Sequence, residues 1–265
     1  MSDAPISEPP MTRPGEISGW PKLVVTYATD PAQVAALLPP GLEPRDPVVT
    51  VGFYCVPVLD EPELGVSVKV AAAWQGVAGQ YTLGLGIDQE AAVHISGETN
   101  GQPKFLCDLT YFRFGDRVTA RASHQGYTFV EYAGTVTGEA PPRDGEFVEH
   151  EWWTKYSRAI GGVEGAYDFP PHVVDVATTF EQRQVEDVDG ELVLRDSPWD
   201  PIARYLPLCS PGRAQLVTHQ PKGRRVTNAG PLDPDAFWPF VDTIGGSRWP
   251  GHRGGPKGAG HGRHH

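Results

Sequence analysis

Ile95-Ser96-Gly97-Glu98-Thr99-Asn100-Gly101-Gln102-Pro103-Lys104-Phe105-Leu106 reads as a turn-rich segment that delivers one lysine onto an apolar strand. Pro103 fixes its own φ and restricts Gln102, while Gly97 and Gly101 permit tight backbone paths. Phe105-Leu106-Cys107, with Tyr111-Phe112 beyond, has strand composition. Lys104 is therefore held stiffly at a strand start. The other lysines are Lys22, Lys69, Lys155, Lys222 and Lys257, and the remaining basic residues are arginine. A lysine placed so firmly, in a chain that solvates itself with arginine, is the first candidate for chemistry.

Outward from this stretch the chain is strand and turn. Lys22 to Ala28 is β-rich, and Asp30-Pro31 supplies an N-cap and a first-turn proline for a short helix through Leu38, stopped by Pro39-Pro40-Gly41. Strands are expected at Val48 to Val58, interrupted by Pro57, then at Val66 to Trp74 and Gln80 to Ile87, three antiparallel neighbours. Asp116 to Ala122 and Tyr127 to Thr137 alternate around Gln125-Gly126 as a hairpin. Glu146 to Ile160 suits either a helix face or a strand, and is read as strand. Later strands are expected at Val173 to Phe180, Gln182 to Asp187, Glu191 to Arg195 after a turn at Asp189-Gly190, and Ala214 to His219. Asp233-Pro234 caps a final short helix carrying Phe237, Trp238, Phe240 and Val241.

Composition bounds the classes. With 31 Gly and 27 Pro in 265 residues, turns are too frequent for long helices, and one large β domain is the plain reading. Residues 1–19 read as a disordered arm, 20–245 as one β domain and 246–265 as a disordered Gly/His-rich tail. A net charge of -11 argues against nucleic acid or an anionic membrane as partner. Neither a signal peptide nor an apolar stretch of spanning length is present, so a cytoplasmic protein is expected. Cys55, Cys107 and Cys209 form no C-x-x-C pair and read as reduced, buried thiols. Gly84-Leu85-Gly86 lacks the third glycine of a dinucleotide fingerprint, and His252, His261, His264 and His265 lie in a Gly-rich tail unsuited to a closed metal site. No cofactor or metal is expected.

Gly97-Glu98 followed by Pro103-Lys104 resembles the signature of the acetoacetate decarboxylase family, a glutamate six residues before a Pro-Lys pair. The resemblance extends from Leu23-Val24-Val25-Thr26-Tyr27-Ala28-Thr29-Asp30 and Leu37 to Pro44, through Gly76 to Tyr81, to Asp200-Pro201-Ile202-Ala203-Arg204-Tyr205-Leu206-Pro207. The collinear set carries it. It implies a mostly β fold, an antiparallel closed or conical β-barrel with a few short helices, a Schiff-base lysine at Lys104, and assembly into homo-oligomers. Glu98 matches the family glutamate, and Glu63 in Glu61-Pro62-Glu63-Leu64-Gly65 is the gapped match for a second one. Asn100, Gln102, Tyr81 and Phe105 become candidates for binding substrate.

The chemistry needs a neutral amine, and at an ordinary pKa of about 10.4 only about one lysine in ~2,500 is neutral at pH 7. Burial among Phe105, Leu106, Tyr111 and Phe112 is the expected means of depressing it. The family decarboxylase has a second lysine after the nucleophile where this chain has Phe105, and the family's pocket arginine falls near Trp20. Three readings stay open: a Schiff-base lyase with decarboxylase-like carbon–carbon chemistry on a small keto acid, an aldolase-dehydratase joining a pyruvate-type enamine to an aldehyde, and a non-catalytic small-molecule-binding barrel. Glu63, Asn100 and Tyr81 would assist water loss in the second.

Overall fold

Alternation in Lys22-Leu23-Val24-Val25-Thr26-Tyr27-Ala28 buries Leu23, Val25 and Tyr27 on one side of a strand, β1 (Lys22–Ala28), and leaves the intervening side chains partly exposed. The computed structural model describes residues 20–58, 61–241 and 246–249. The expected N-terminal arm and the tail from residue 250 lie outside the described residues. After β1, the Asp30 carboxylate accepts a hydrogen bond from the amide of Ala32 at 2.8 Å and Pro31 opens helix α1 (Pro31–Leu37), as the sequence predicts.

Three long antiparallel strands follow, β2 (Leu42–Val58), β3 (Glu61–Trp74) and β4 (Val77–Ile87). β2 continues through Pro57, which pairs with Pro62, and is not interrupted there. Helix α2 (Glu90–Asn100) and the three-residue strand β5 (Lys104–Leu106) come next, then β6 (Asp108–Phe114), β7 (Arg117–His124), β8 (Tyr127–Ala140) and β9 (Glu146–Arg158). β10 (Tyr167–Leu194), α3 (Ile202–Tyr205), β11 (Arg213–Pro231) and α4 (Pro234–Phe237) complete the order.

Two further expectations are corrected. The segment before Lys104 is a helix rather than a run of turns. And Asp189-Gly190 is not a turn: β10 passes straight through it, paired there with Thr135 and Gly134 of β8.

The ladder closes on itself. β1, β2, β3 and β4 lie in order, β4 meets β9 in parallel, β9 pairs with β10, β10 with β11, and β11 returns to β1. β8, β7 and β6 extend from the second half of β10, and β5 adds to β4 in parallel. The mostly β, mostly antiparallel architecture with few short helices is thus the one expected. Leu23, Val25, Val49, Val51, Phe53, Val68 and Val70 form the apolar face of β1 to β3, in one buried cluster with Val34 and Leu37 of α1 and Tyr111 of β6. The opposite face of the same strands is polar, and it carries the site.

Candidate active site

The Lys104 segment is fixed at both ends by backbone. Gly101, at φ +66°, ends α2 in the left-handed conformation, its amide bonding to Gly97 O at 3.0 Å and that of Gln102 to Ser96 O at 3.4 Å. A Cβ at Gly101 would lie 2.3 Å from Thr154 O, so glycine is required by the approach to β9 as well as by φ. β5 is then seated on β4, with Leu85 N donating to Pro103 O at 2.9 Å and Cys107 N to Ile87 O at 2.8 Å.

Register decides which side chains share a face. Gly52 pairs with Ser67 and Ser67 with Leu85, which in turn pairs with Lys104; two-residue steps along β3 add Gly65 and Glu63 on one side and Lys69 on the other. Lys104 Nζ lies 3.2 Å from Glu63 Oε2, and the two side chains are only 9% and 3% exposed. Further along the face Lys69 pairs with Glu151, whose other oxygen accepts hydrogen bonds of 2.6 Å from both Thr82 Oγ1 and Trp153 Nε1. Burial alone would raise the Glu151 carboxyl, but Lys69 and these donors outweigh it and hold its pKa at about 2. Lys22, from β1, lies across Gly52 toward Ser67. Burial, reinforced by the Lys69 charge, lowers its pKa to about 8 against the opposing pull of Glu149 and Glu151. Tyr54 lies over Gly65, its phenol pushed well above the ordinary value by burial and then by Glu63 and Glu151.

Of the residues expected from sequence, the fold brings Lys104 and Glu63 together. Glu98 is exposed on α2, and its backbone carbonyl accepts from Lys155. Asn100 is the last residue of α2 and Gln102 lies in the link to β5, both partly buried. Tyr81 pairs with Val70 and belongs to the apolar face, where burial pushes its phenol up to about 12. Phe105 also points away from Lys104, stacked on His124 with ring centroids 4.3 Å apart.

The expected apolar pocket around the amine is therefore corrected. Phe105 faces the other way, Leu106 and Phe112 are 50% and 64% exposed, and Tyr111 donates to Pro21 O at 2.6 Å. Sequence reasoning missed Lys22, Lys69, Glu151 and Tyr54. Their signal was present as period-two spacing, Lys22 with Val24 and Thr26, and Lys69 with Ser67, but a face is shared across strands only once register is known.

Among the described residues no cluster of three His, Cys, Asp or Glu is placed to hold a metal, and no helix is long and apolar enough to cross a membrane. Cys55 and Cys107 are buried free thiols as expected, whereas Cys209 is exposed.

A family profile described as acetoacetate decarboxylase (ADC) matches residues 3–219, most of the chain. The chain belongs to the acetoacetate decarboxylase family. Curated relatives include the acetoacetate decarboxylases of Paraburkholderia phytofirmans, 34% identical over 90 residues (32% of this chain, 35% of the relative), and Chromobacterium violaceum, 34% identical over 86 residues (31% and 34%). The chain thus spans about a third of the length of the curated relatives it matches. A solved acetoacetate decarboxylase from Legionella pneumophila superposes with a TM-score of 0.65 at 16% identity, covering 88% of this chain and 98% of that one. The enduracididine biosynthesis enzyme MppR, solved with the condensation product of pyruvate and imidazole 4-carboxaldehyde, gives 0.56 at 20% identity, covering 78% and 87%. At these identities the structural likeness shows the shared fold.

Proposed function

We propose that the protein is a Schiff-base lyase that acts on a small keto acid through an iminium at Lys104, with decarboxylase-like cleavage of a carbon–carbon bond. The observation that carries the reading is the withdrawn Lys104–Glu63 pair, which brings together the lysine of the family signature and the glutamate of its gapped match. An amine must lose a proton before it attacks a ketone, and Glu63 is the carboxylate within reach of that proton. The neutral amine adds to the carbonyl carbon, and the proton held by Glu63 leaves with the carbinolamine hydroxyl as water. In the resulting iminium the electrons of the bond to the carboxylate carbon move toward nitrogen, releasing carbon dioxide and leaving an enamine. Protonation of the enamine carbon and hydrolysis return the ketone and the free amine.

Lys22 supports the choice of an acidic substrate. Among the described residues it makes no ion pair within 4 Å, yet it lies on the same face as Lys104, and so offers a cation to a carboxylate. In this reading Lys22 takes the part of the family's pocket arginine, whose position falls near Trp20. An aldolase-dehydratase would use the same iminium, with Glu63 assisting water loss.

Borohydride added with acetoacetate tests the reading. A reduced adduct on Lys104, absent from Lys104→Ala and retained in Lys22→Met, supports it; an adduct on Lys22 alone, or none with acetoacetate or pyruvate, overturns it. Carbon dioxide release from acetoacetate, compared with product formation from pyruvate plus an aldehyde, separates the two lyase chemistries.

A further inference from the structure

Residues 246–249 were expected to begin a disordered tail, and the match to the acetoacetate decarboxylase family ends at residue 219. Yet these four residues are packed against the back of the Lys104 segment, with Ser247 and Trp249 at 0% and 1% exposure. The contact is made at three levels. First, Gly246 sits so close to β5 that a Cβ there would be 2.0 Å from Lys104 O. Second, Ser247 Oγ donates to Asp200 Oδ1 at 2.7 Å, and the other oxygen of the same carboxylate lies 2.6 Å from His124 Nδ1. His124 is the ring on which Phe105 stacks, so the Asp200 carboxylate couples the tail segment to the residue next to Lys104. Third, the Arg248 amide bonds to Leu83 O of β4 at 2.6 Å, and its guanidinium reaches Gly101 O at 3.1 Å, Thr154 O at 3.3 Å and Tyr156 Oη at 3.4 Å.

These bonds bracket the lysine: Arg248 holds the turn three residues before it, and the Ser247–Asp200–His124 chain holds the residue after it. All of the groups in that chain are buried, where an unmet hydrogen bond is most costly. None of them shares the polar face with Glu63, so none is placed to touch a substrate bound at Lys104.

We propose that residues 246–249 are a strap, contributed from beyond the family-matched part of the chain, whose Ser247 and Arg248 are positioning residues for Lys104. The inference rests on Lys104 being the reactive amine. The strap fixes where β5 lies against β4, and hence the line from Nζ to Glu63 and to a bound carbonyl. A displacement of about 1 Å there is enough to slow imine formation without changing what the site binds.

Ser247→Ala, Ser247→Thr and Arg248→Ala in the full chain test this with two readouts: amide hydrogen exchange resolved by segment, and the rate of borohydride trapping on Lys104 as a function of acetoacetate concentration. In Ser247→Ala and Arg248→Ala, exchange in residues 101–107 is expected to rise about tenfold while the rest of the sheet stays protected. The maximal trapping rate falls by about tenfold and the half-saturating concentration stays within about twofold. Ser247→Thr keeps the hydroxyl and is expected to restore both readouts. Unchanged exchange at 101–107, exchange raised equally along the chain, or raised local exchange with an unaltered maximal rate would each overturn the proposal. Parent protein that yields no adduct while the alanine variants loosen only residues 101–107 would sink the Schiff-base reading and leave the strap's hold on the segment standing.

Discussion

Lys104 Nζ and Glu63 Oε2 are 3.2 Å apart, on side chains almost wholly withdrawn from solvent, and one comes from a three-residue strand while the other comes from a long strand 41 residues earlier. Such a pair is costly to halve. Removing one partner of a buried ion pair typically destabilises by about 3–5 kcal/mol, whereas replacing both with apolar residues of similar size is often neutral or stabilising. Glu63→Leu should therefore melt well below the parent, and Lys104→Met combined with Glu63→Leu should melt near it or above. A thermal-denaturation cycle over the four proteins decides this, and additive losses would show that the two side chains do not act as a pair.

The chemical counterpart is Glu63→Gln, which keeps shape and loses the proton acceptor. Positioned acid–base groups contribute about 10²–10⁴-fold. The maximal rate of adduct formation on Lys104 should fall within that range, and a value within about twofold of the parent would remove Glu63 from the mechanism.

Lys22→Met separates charge recognition from amine chemistry. If Lys22 receives the carboxylate, the acetoacetate concentration needed for half-maximal trapping rises at least about tenfold, a difference of about 1.4 kcal/mol. Trapping of acetone, which carries no carboxylate, changes little. Equal losses for the two compounds would show that Lys22 serves structure alone.

Two groups on the polar face set opposite pH slopes of stability. Glu151 is held at about 2, below its ordinary value of 4.5, so the stability it confers is present above pH 4.5 and is lost as pH falls from there through 2. Lys22 is lowered to about 8 from 10.5, so between those values the unfolded chain binds more protons and stability rises with pH. Urea titrations from pH 2 to 11 should show both limbs. Glu151→Gln should flatten the acid limb and Lys22→Met the alkaline one; either limb persisting in its variant contradicts the assignment.

Gly101→Ala joins an unfavourable φ to a contact of 2.3 Å with Thr154 O. A loss of at least about 2 kcal/mol is expected, beyond the roughly 1 kcal/mol of the backbone conformation alone. The maximal trapping rate should fall with it, because the same turn leads into Lys104. A fully stable Gly101→Ala would mean that α2 ends differently.

What the sequence showed and what it hid divide along a physical line. Lys104 was legible because a proline, two glycines and a collinear family signature mark it locally, and Glu63 only through a gapped match to a second family glutamate. Helix α1 was legible because Asp30-Pro31 is a complete start signal. α2 was not, since Gly97 and a run of Ser, Thr and Asn carry turn propensity, and what makes the segment helical is its cap at Gly101 and the β9 backbone behind it. Asp189-Gly190 has turn chemistry too, but its backbone is paired with Thr135 and Gly134 of β8. Lys22 and Glu151 lie 129 positions apart, and their sharing a face follows from the registers of the intervening strands, which pattern along one segment does not contain.

The ring of strands is joined between β4 and β9 by two residue pairs, Gln80 with Glu151 and Tyr81 with Trp152, while its other joints run over five or more. Glu151 is a member of that short seam, and its carboxylate reaches across it to Thr82 on β4 and Lys69 on β3. The molecule is thus buttoned at one place by a charge. Acid that protonates Glu151 is therefore expected to unfasten the loop of sheet where it has the least backbone to hold it, opening the ring into a ribbon before its long hairpins come apart.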